Sequence, residues 1–274
     1  MDSGSKIAPE ALARTIGSAA APLVFDVRRR AAFESGGRLI AGARWRDHRR
    51  ALDWGQTVGG NREVVVYCAH GEQVGQSAAA LLRSAGCRAR WLEGGLEAFE
   101  RAGGTTVSTN LEIHAGAVPS RWVTRARPKI DRLACPWLIR RFIDPDAQIF
   151  YVEADQVLAV AAELDAEPFD VHGATLGHDG ERCSFDAMIG RFGIHDEALD
   201  HLAVIVRGAD TGRLDLAPEC AGLLAASLGI SALEVDDQRA LTRGLDLYDV
   251  LYAWLRFAHD ESHAWAPPPG PVHG

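Results

Sequence analysis

Cys68 is the residue in this chain best placed to do chemistry. It ends the β-branched run Val64 to Tyr67 and precedes Ala69, His70, Gly71, Glu72 and Gln73, after which an Ala/Leu-rich segment of helical spacing runs to Gly86. A thiol between a buried strand and the start of a helix faces backbone N–H groups that have no partner inside the helix. The helix dipole adds partial positive charge at the same end. Both favour the thiolate, the nucleophilic form of cysteine. Cys68 is therefore the candidate nucleophile.

Two clusters in the second half offer other chemistry. Residues 121–141 hold seven basic side chains and a single acid, Asp131. Pro136 reads as the first residue of a helix there. Lys129 and Arg132 would then flank a helix N-terminus beside Cys135, with Arg140 following, which makes these four candidates for binding an oxyanion. The alternative is a solvated basic face. Farther on, Phe169 to Phe192 is dense in His172, His178, Cys183 and Asp186. His178, Cys183 and Asp186, with Asp210, are candidate transition-metal ligands, although no paired spacing such as HxxxH supports them. The alternative is a hydrogen-bonded loop, with Asp210 capping a helix.

The elements that must position these residues follow from periodicity. Residues 8–17 suit a short helix, 22–27 a buried strand, 31–33 one helical turn, 38–45 a second strand-like run and 63–67 a third strand. Residues 88–92 suit a fourth strand, and Gly94-Gly95 opens a further helix. Strands alternating with helices imply a parallel α/β sheet whose active site lies beyond the carboxyl ends of its strands. Residues 105–120 are small and polar and read as a linker. Beyond it, helices are expected over 130–142, 184–192, 197–207, 216–228 and 236–256, with a strand at 148–152. The expected division is a domain over 1–104, a linker over 105–120, a second domain over 121–265 and a Pro/Gly-rich tail over 266–274.

Composition narrows the function classes. The chain has 274 residues and a net charge of −8. Residues 1–104 carry a net +4 and residues 105–274 a net −12. So acidic a chain is a poor general nucleic-acid binder. No apolar run reaches the ~18 residues that span a bilayer, and the polar N-terminus lacks the apolar core of a secretory leader. Five scattered cysteines without a CxxC fit a reducing cytoplasm.

In order and spacing, DVR, IAGA, VVVYCAHGEQ with its helix, and LEGGLEAF resemble the rhodanese family across residues 8–103. The resemblance implies a parallel sheet flanked by helices, with Cys68 as the sulfur-carrying cysteine and the backbone amides of Ala69, His70, Gly71, Glu72 and Gln73 as the cradle that binds the substrate. The stretch from Cys68 to Gln73 is six residues long and has no closing Arg. The related phosphatase and arsenate-reductase loops carry one residue more and a terminal Arg, so this loop fits a persulfide sulfur better than a phosphate. Arg38 stands where the family usually has His, and Glu72 places a negative charge against dianionic thiosulfate. In the second half, KIDRLACPWLIRRFID, HDGERCSFD and IVRGADTGRLDLAPE resemble the C-terminal domain of ChrB-type chromate-resistance proteins over residues 121–257. That half is expected to be a mostly helical α+β domain.

The function expected from these readings is sulfur transfer through a Cys68 persulfide. The donor would be a small sulfur compound and the acceptor cyanide or a thiol, with a link to chromate-like oxyanion or metal stress. Sulfur transfer needs no cofactor, and a transition metal is a candidate for the second domain. No nucleic-acid or membrane partner is expected. Two other readings stay open: a redox, oxyanion or metal sensor without turnover, and a metal-dependent redox enzyme centred on the second domain.

Overall fold

The computed structural model describes residues 4–58, 62–116 and 118–261. The first half runs β1 (Lys6–Ile7), α1 (Pro9–Thr15), β2 (Leu23–Asp26), α2 (Arg30–Ser35), β3 (Arg38–Ile40), β4 (Arg44–Trp45), α3 (Ala51–Gly55), β5 (Val64–Tyr67), α4 (Gln73–Ser84), β6 (Ala89–Leu92), α5 (Gly95–Arg101), β7 (Thr106–Ser108) and α6 (Leu111–His114). The second half runs β8 (Arg121–Arg125), α7 (Asp131–Leu138), β9 (Gln148–Val152), α8 (Val157–Leu164), β10 (Glu167–Pro168), α9 (Ser184–Arg191), α10 (Glu197–Thr211), α11 (Cys220–Leu233) and α12 (Asp237–Phe257). The expected tail at 266–274, and His263 before it, lie outside the described residues.

The fold is the expected one: a parallel sheet flanked by helices, followed by a mostly helical α+β half. Strands pair in the order β1-β6-β5-β2-β4, with every neighbour parallel. All four residues of β5 are buried, because helices cover both faces of the sheet. The run 38–45 is two strands rather than one. Gly42, at φ +72, turns the chain between them, and β3 leaves the main sheet to pair antiparallel with β7.

That pairing also corrects the linker. Residues 105–120 contain β7 and α6, and Thr106 and Val107 are buried. Small polar residues there form an edge strand and a capped turn. Asn110 accepts from the N–H groups of Glu112 and Ile113.

The two halves share one continuous core that includes Phe33, Phe99, Trp137 and Phe142. Polar contacts fasten the seam. Gly42 N–H donates to the Phe142 carbonyl at 2.7 Å. Arg256 of α12 donates to the carbonyls of Ala13 and Ile16 at 3.1 and 3.0 Å, closing the open end of α1.

In the second half, β8 lies between β9 and β10 in a small parallel sheet. α7 begins at Asp131, not at Pro136, which sits inside the helix. Proline has no N–H for the carbonyl four residues back. The Tyr151 hydroxyl serves that carbonyl instead, donating to Arg132 at 3.0 Å. The helix then widens into a π turn over Ile139–Ile143. Helix α10 continues past Arg207 to Thr211, so Gly208 is no stop signal. A Cβ at Gly208 would lie 2.4 Å from Cys220 Sγ, and its role is the close approach of α10 to α11. Among the described residues no helix is long and apolar enough to cross a membrane.

Candidate functional site

Cys68 lies where the sheet rule requires, at the carboxyl end of β5. It is 7% exposed, and its Sγ sits 4.0 Å from the carbonyl of Glu72, the residue before α4. Gly75, in the first turn of α4, lies beside the sulfur: a Cβ there would stand 3.5 Å from Sγ, at ordinary packing distance.

The loop is held by its carbonyls. Leu96 N–H donates to the Cys68 carbonyl and Glu97 N–H to that of Ala69, at 2.9 and 3.2 Å. Gln76 takes the carbonyl of Gly71 with its side chain and that of Glu72 with its N–H, at 3.1 Å each. The N–H groups of Ala69, His70, Gly71, Glu72 and Gln73 donate to no backbone carbonyl among the described residues. Such a loop presents donors to an anionic sulfur or oxygen at the start of a 12-residue helix. Gly94 and Gly95, at φ +67 and +62, bring the next turn against it. A Cβ on Gly95 would fall 2.3 Å from the Cys68 carbonyl oxygen.

Around the loop, His70 Nδ1 pairs with Glu97 Oε1 at 3.0 Å, both side chains being more than half exposed. Glu72 is exposed. Beneath the loop, Asp26 and Arg28 form a buried ion pair, with Arg28 Nε 2.8 Å from Asp26 Oδ2. Burial pushes the Asp26 carboxyl up, against the pull of Arg28. Tyr67 accepts from Ile40 N–H at 3.2 Å, and its burial pushes the phenol well above its usual range.

The four expected oxyanion residues do not converge. Arg132 reaches Asp170 at 3.2 Å and the carbonyl of Ala126 at 2.8 Å. Arg140 donates to the Ala147 carbonyl and lines a cavity of about 190 Å³ between the halves, with Arg62 and Arg141. Lys129 is exposed. Cys135 is fully buried, and desolvation, with Asp131 next in effect, pushes its thiol well above its usual range. The reason is the helix start. With Asp131 in the first turn of α7, an acid occupies the N-terminal position expected for an anion.

The expected metal ligands separate into two groups. Cys183 and Asp186 cap α9: Cys183 N–H donates to Asp186 Oδ2 at 3.1 Å, and Arg207 pairs with Asp186 Oδ1 at 3.1 Å. Burial pushes the Cys183 thiol far up, and its Sγ lies 3.4 Å from Asp186 Oδ2. His178 and Asp210 do meet, with His178 Nε2 3.1 Å from Asp210 Oδ2. Two further carboxylates that sequence reasoning missed also face His178 Nε2, Asp131 at 3.7 Å and Asp170 at 3.6 Å. Burial, with the carboxylates of Asp210 and Asp170 close by, pushes Asp131 up. The available signal was Asp131 itself, the single acid in a basic run.

Family comparison matches residues 8–102 to the rhodanese-like domain and residues 122–255 to ChrB, C-terminal domain. Protein ChrB of Cupriavidus metallidurans is 34% identical over 148 residues, covering 50% of this chain and 44% of that protein. The chain thus spans less than half the length of that curated relative. Among solved structures, a protein from Anabaena sp. is 29% identical over 38% of this chain and 82% of its own, with a TM-score of 0.34. A rhodanese-related protein from Thermoplasma volcanium is 22% identical over 38% of this chain and 97% of its own, with a TM-score of 0.31.

Proposed function

Because the chain joins a rhodanese-like domain to a ChrB C-terminal domain, we propose that it is a sulfurtransferase that works through Cys68 and serves chromate resistance. The observation that carries this reading is the Cys68 loop, whose carbonyls are tied back while the amides of residues 69–73 are left to receive an anion.

The Cys68 thiolate attacks the outer sulfur of a sulfane donor. With thiosulfate, the S–S bond of the donor breaks, a Cys68–S–S⁻ persulfide forms and sulfite leaves with its two negative charges. Cyanide then takes the terminal sulfur as thiocyanate and returns the Cys68 thiolate. A thiolate acceptor takes it as a persulfide in the same way. Attack on sulfur needs the ionised form, and the amides hold the negative charge that moves onto the terminal sulfur. Exposed Glu72 at the loop disfavours a dianionic donor, so a less charged persulfide donor should outrun thiosulfate. The work is expected to take place in the cytoplasm.

The test is turnover with thiosulfate and with glutathione persulfide, cyanide being the acceptor, for the native chain and Cys68→Ser. Intact-mass measurement after donor treatment should show a gain of one sulfur on the native chain alone. Equal turnover by the two proteins would remove the reading.

A further inference from the structure

Away from Cys68, three segments that are distant in sequence meet at one point. Asp131 is the first residue of α7, Asp170 and His178 lie between β10 and α9, and Asp210 is near the end of α10. We propose that Asp131, Asp170, His178 and Asp210 form a binding site for one hard or borderline divalent cation, of the Mn²⁺, Fe²⁺ or Zn²⁺ class.

The first support is geometric. His178 Nε2 is 3.1 Å from Asp210 Oδ2, 3.6 Å from Asp170 Oδ1 and 3.7 Å from Asp131 Oδ2. The ligand atoms of Asp131, Asp170 and His178 all lie within 4.8 Å of one another. Ligands at about 2.1 Å from a common ion stand roughly 3.0–3.4 Å apart at octahedral and tetrahedral angles. Asp131, Asp170 and His178 need only small side-chain movements to close on an ion, and Asp210 joins them through its 3.1 Å contact with His178.

The second support is a buried carboxyl group that no arginine or lysine among the described residues pairs with. Asp131 is 1% exposed and points its carboxylate into the cluster. The N–H groups of Ser184 and Phe185 hold it at 2.7 and 3.3 Å but carry no net charge. Among the described residues, no arginine or lysine pairs with it. The arginines nearby, Arg125 and Arg132, both pair with Oδ2 of Asp170, itself a member of the cluster, while Oδ1 of Asp170 faces His178 at 3.6 Å and takes a 3.4 Å contact from Ser184 Oγ. A carboxylate taken out of water without a cation is costly, and a bound divalent ion supplies the missing charge.

The donor set selects the class of ion. Three carboxylates and one imidazole suit Mn²⁺, Fe²⁺ or Zn²⁺ better than Cu⁺, which prefers thiolates. Cys183 is kept from the set by its place in the α9 cap. His178 is 42% exposed, so the ion would be reached from the solvent side, where a coordination position remains for water or a small ligand.

The chelator-stripped 274-residue chain should be titrated with Mn²⁺ by electron paramagnetic resonance and with Zn²⁺ by calorimetry. The expected result is one ion per chain and a rise in thermal midpoint on loading. His178→Ala and Asp210→Asn, which alter the less buried ligands, should each weaken binding by about 100-fold or more, since even groups that merely support a ligand are worth about 10–100-fold. Cys68→Ser should bind as the native chain does. The proposal is overturned if the native chain takes up neither ion, if His178→Ala and Asp210→Asn bind as tightly as the native chain, or if Cys68→Ser loses the ion.

Discussion

The hydroxyl of Tyr151, on β9, donates to the carbonyl of Arg132 at 3.0 Å, the bond that Pro136 withholds inside α7. Tyr151→Phe removes that donor in a partly buried setting. The expected loss is about 1–2 kcal/mol in urea unfolding. Pro136→Ala restores an N–H at the right place, so Tyr151→Phe should cost much less in a Pro136→Ala background. Equal costs in the two backgrounds would show that the two residues do not share this carbonyl.

The Asp26–Arg28 pair is buried on both sides beneath the Cys68 loop. Replacing one partner strands the other. Arg28→Met should lower stability by about 3–5 kcal/mol, whereas Asp26→Asn combined with Arg28→Met should cost less than Arg28→Met alone. Chemical denaturation at neutral pH reads both. A loss under about 1 kcal/mol for Arg28→Met would mean that water reaches Asp26 in the native state.

Legibility of the sequence tracked how local each signal was. The β5–Cys68–α4 unit could be read directly, because a β-branched run, a glycine and an Ala/Leu-rich helix lie consecutively. β8 was not read, since Arg121 and Arg125 at its ends merge it into a basic island. Pro136 pointed to a helix start because its rescue by Tyr151 depends on a tertiary contact. Gly208 looked like a helix end for a similar reason: only the packing of Cys220 shows why a residue without a side chain is needed. Of the acidic cluster, His178 and Asp210 drew attention by residue type. Asp131 and Asp170 did not, because one acid among many arginines reads as an ordinary ion-pair partner. Their convergence depends on how α7 and α10 pack against the segment between β10 and α9.

Gly71 and Gly37 form a controlled pair, with φ +68 and +67. A Cβ on Gly71 would stand 2.5 Å from the Gly94 nitrogen and 2.7 Å from the Leu92 carbonyl oxygen, while one on Gly37 meets nothing within 4 Å. Gly37→Ala should therefore cost only the left-handed backbone penalty, about 1 kcal/mol. Gly71→Ala adds a clash with backbone that cannot yield, so its cost should be at least about 3 kcal/mol, with sulfur transfer lost. Thermal unfolding of the two variants, with turnover measured beside it, separates the terms. Similar midpoints would mean that the turn at Gly94 is free to move.

His114 closes α6 between the two halves and is 0% exposed, its Nδ1 accepting from Asn110 N–H at 2.9 Å. Burial holds its pKa down, from 6.5 to about 4, with Asp144 opposing the shift and Arg44 adding to it. The unfolded chain therefore takes up a proton at His114 before the folded chain does. Stability from this residue is complete above pH 6.5 and falls as the pH drops toward 4. The total is about 3 kcal/mol, at about 1.4 kcal/mol per pH unit in the steep part. Urea unfolding at neutral pH and near pH 4.5 should show most of this loss, about 2 kcal/mol, in the native chain. In His114→Gln, which is expected to start from a lower stability at neutral pH, the decline over the same interval should be smaller by about that amount. If both proteins decline equally, the acid sensitivity belongs to other groups and the His114 ring is protonated without opening the seam.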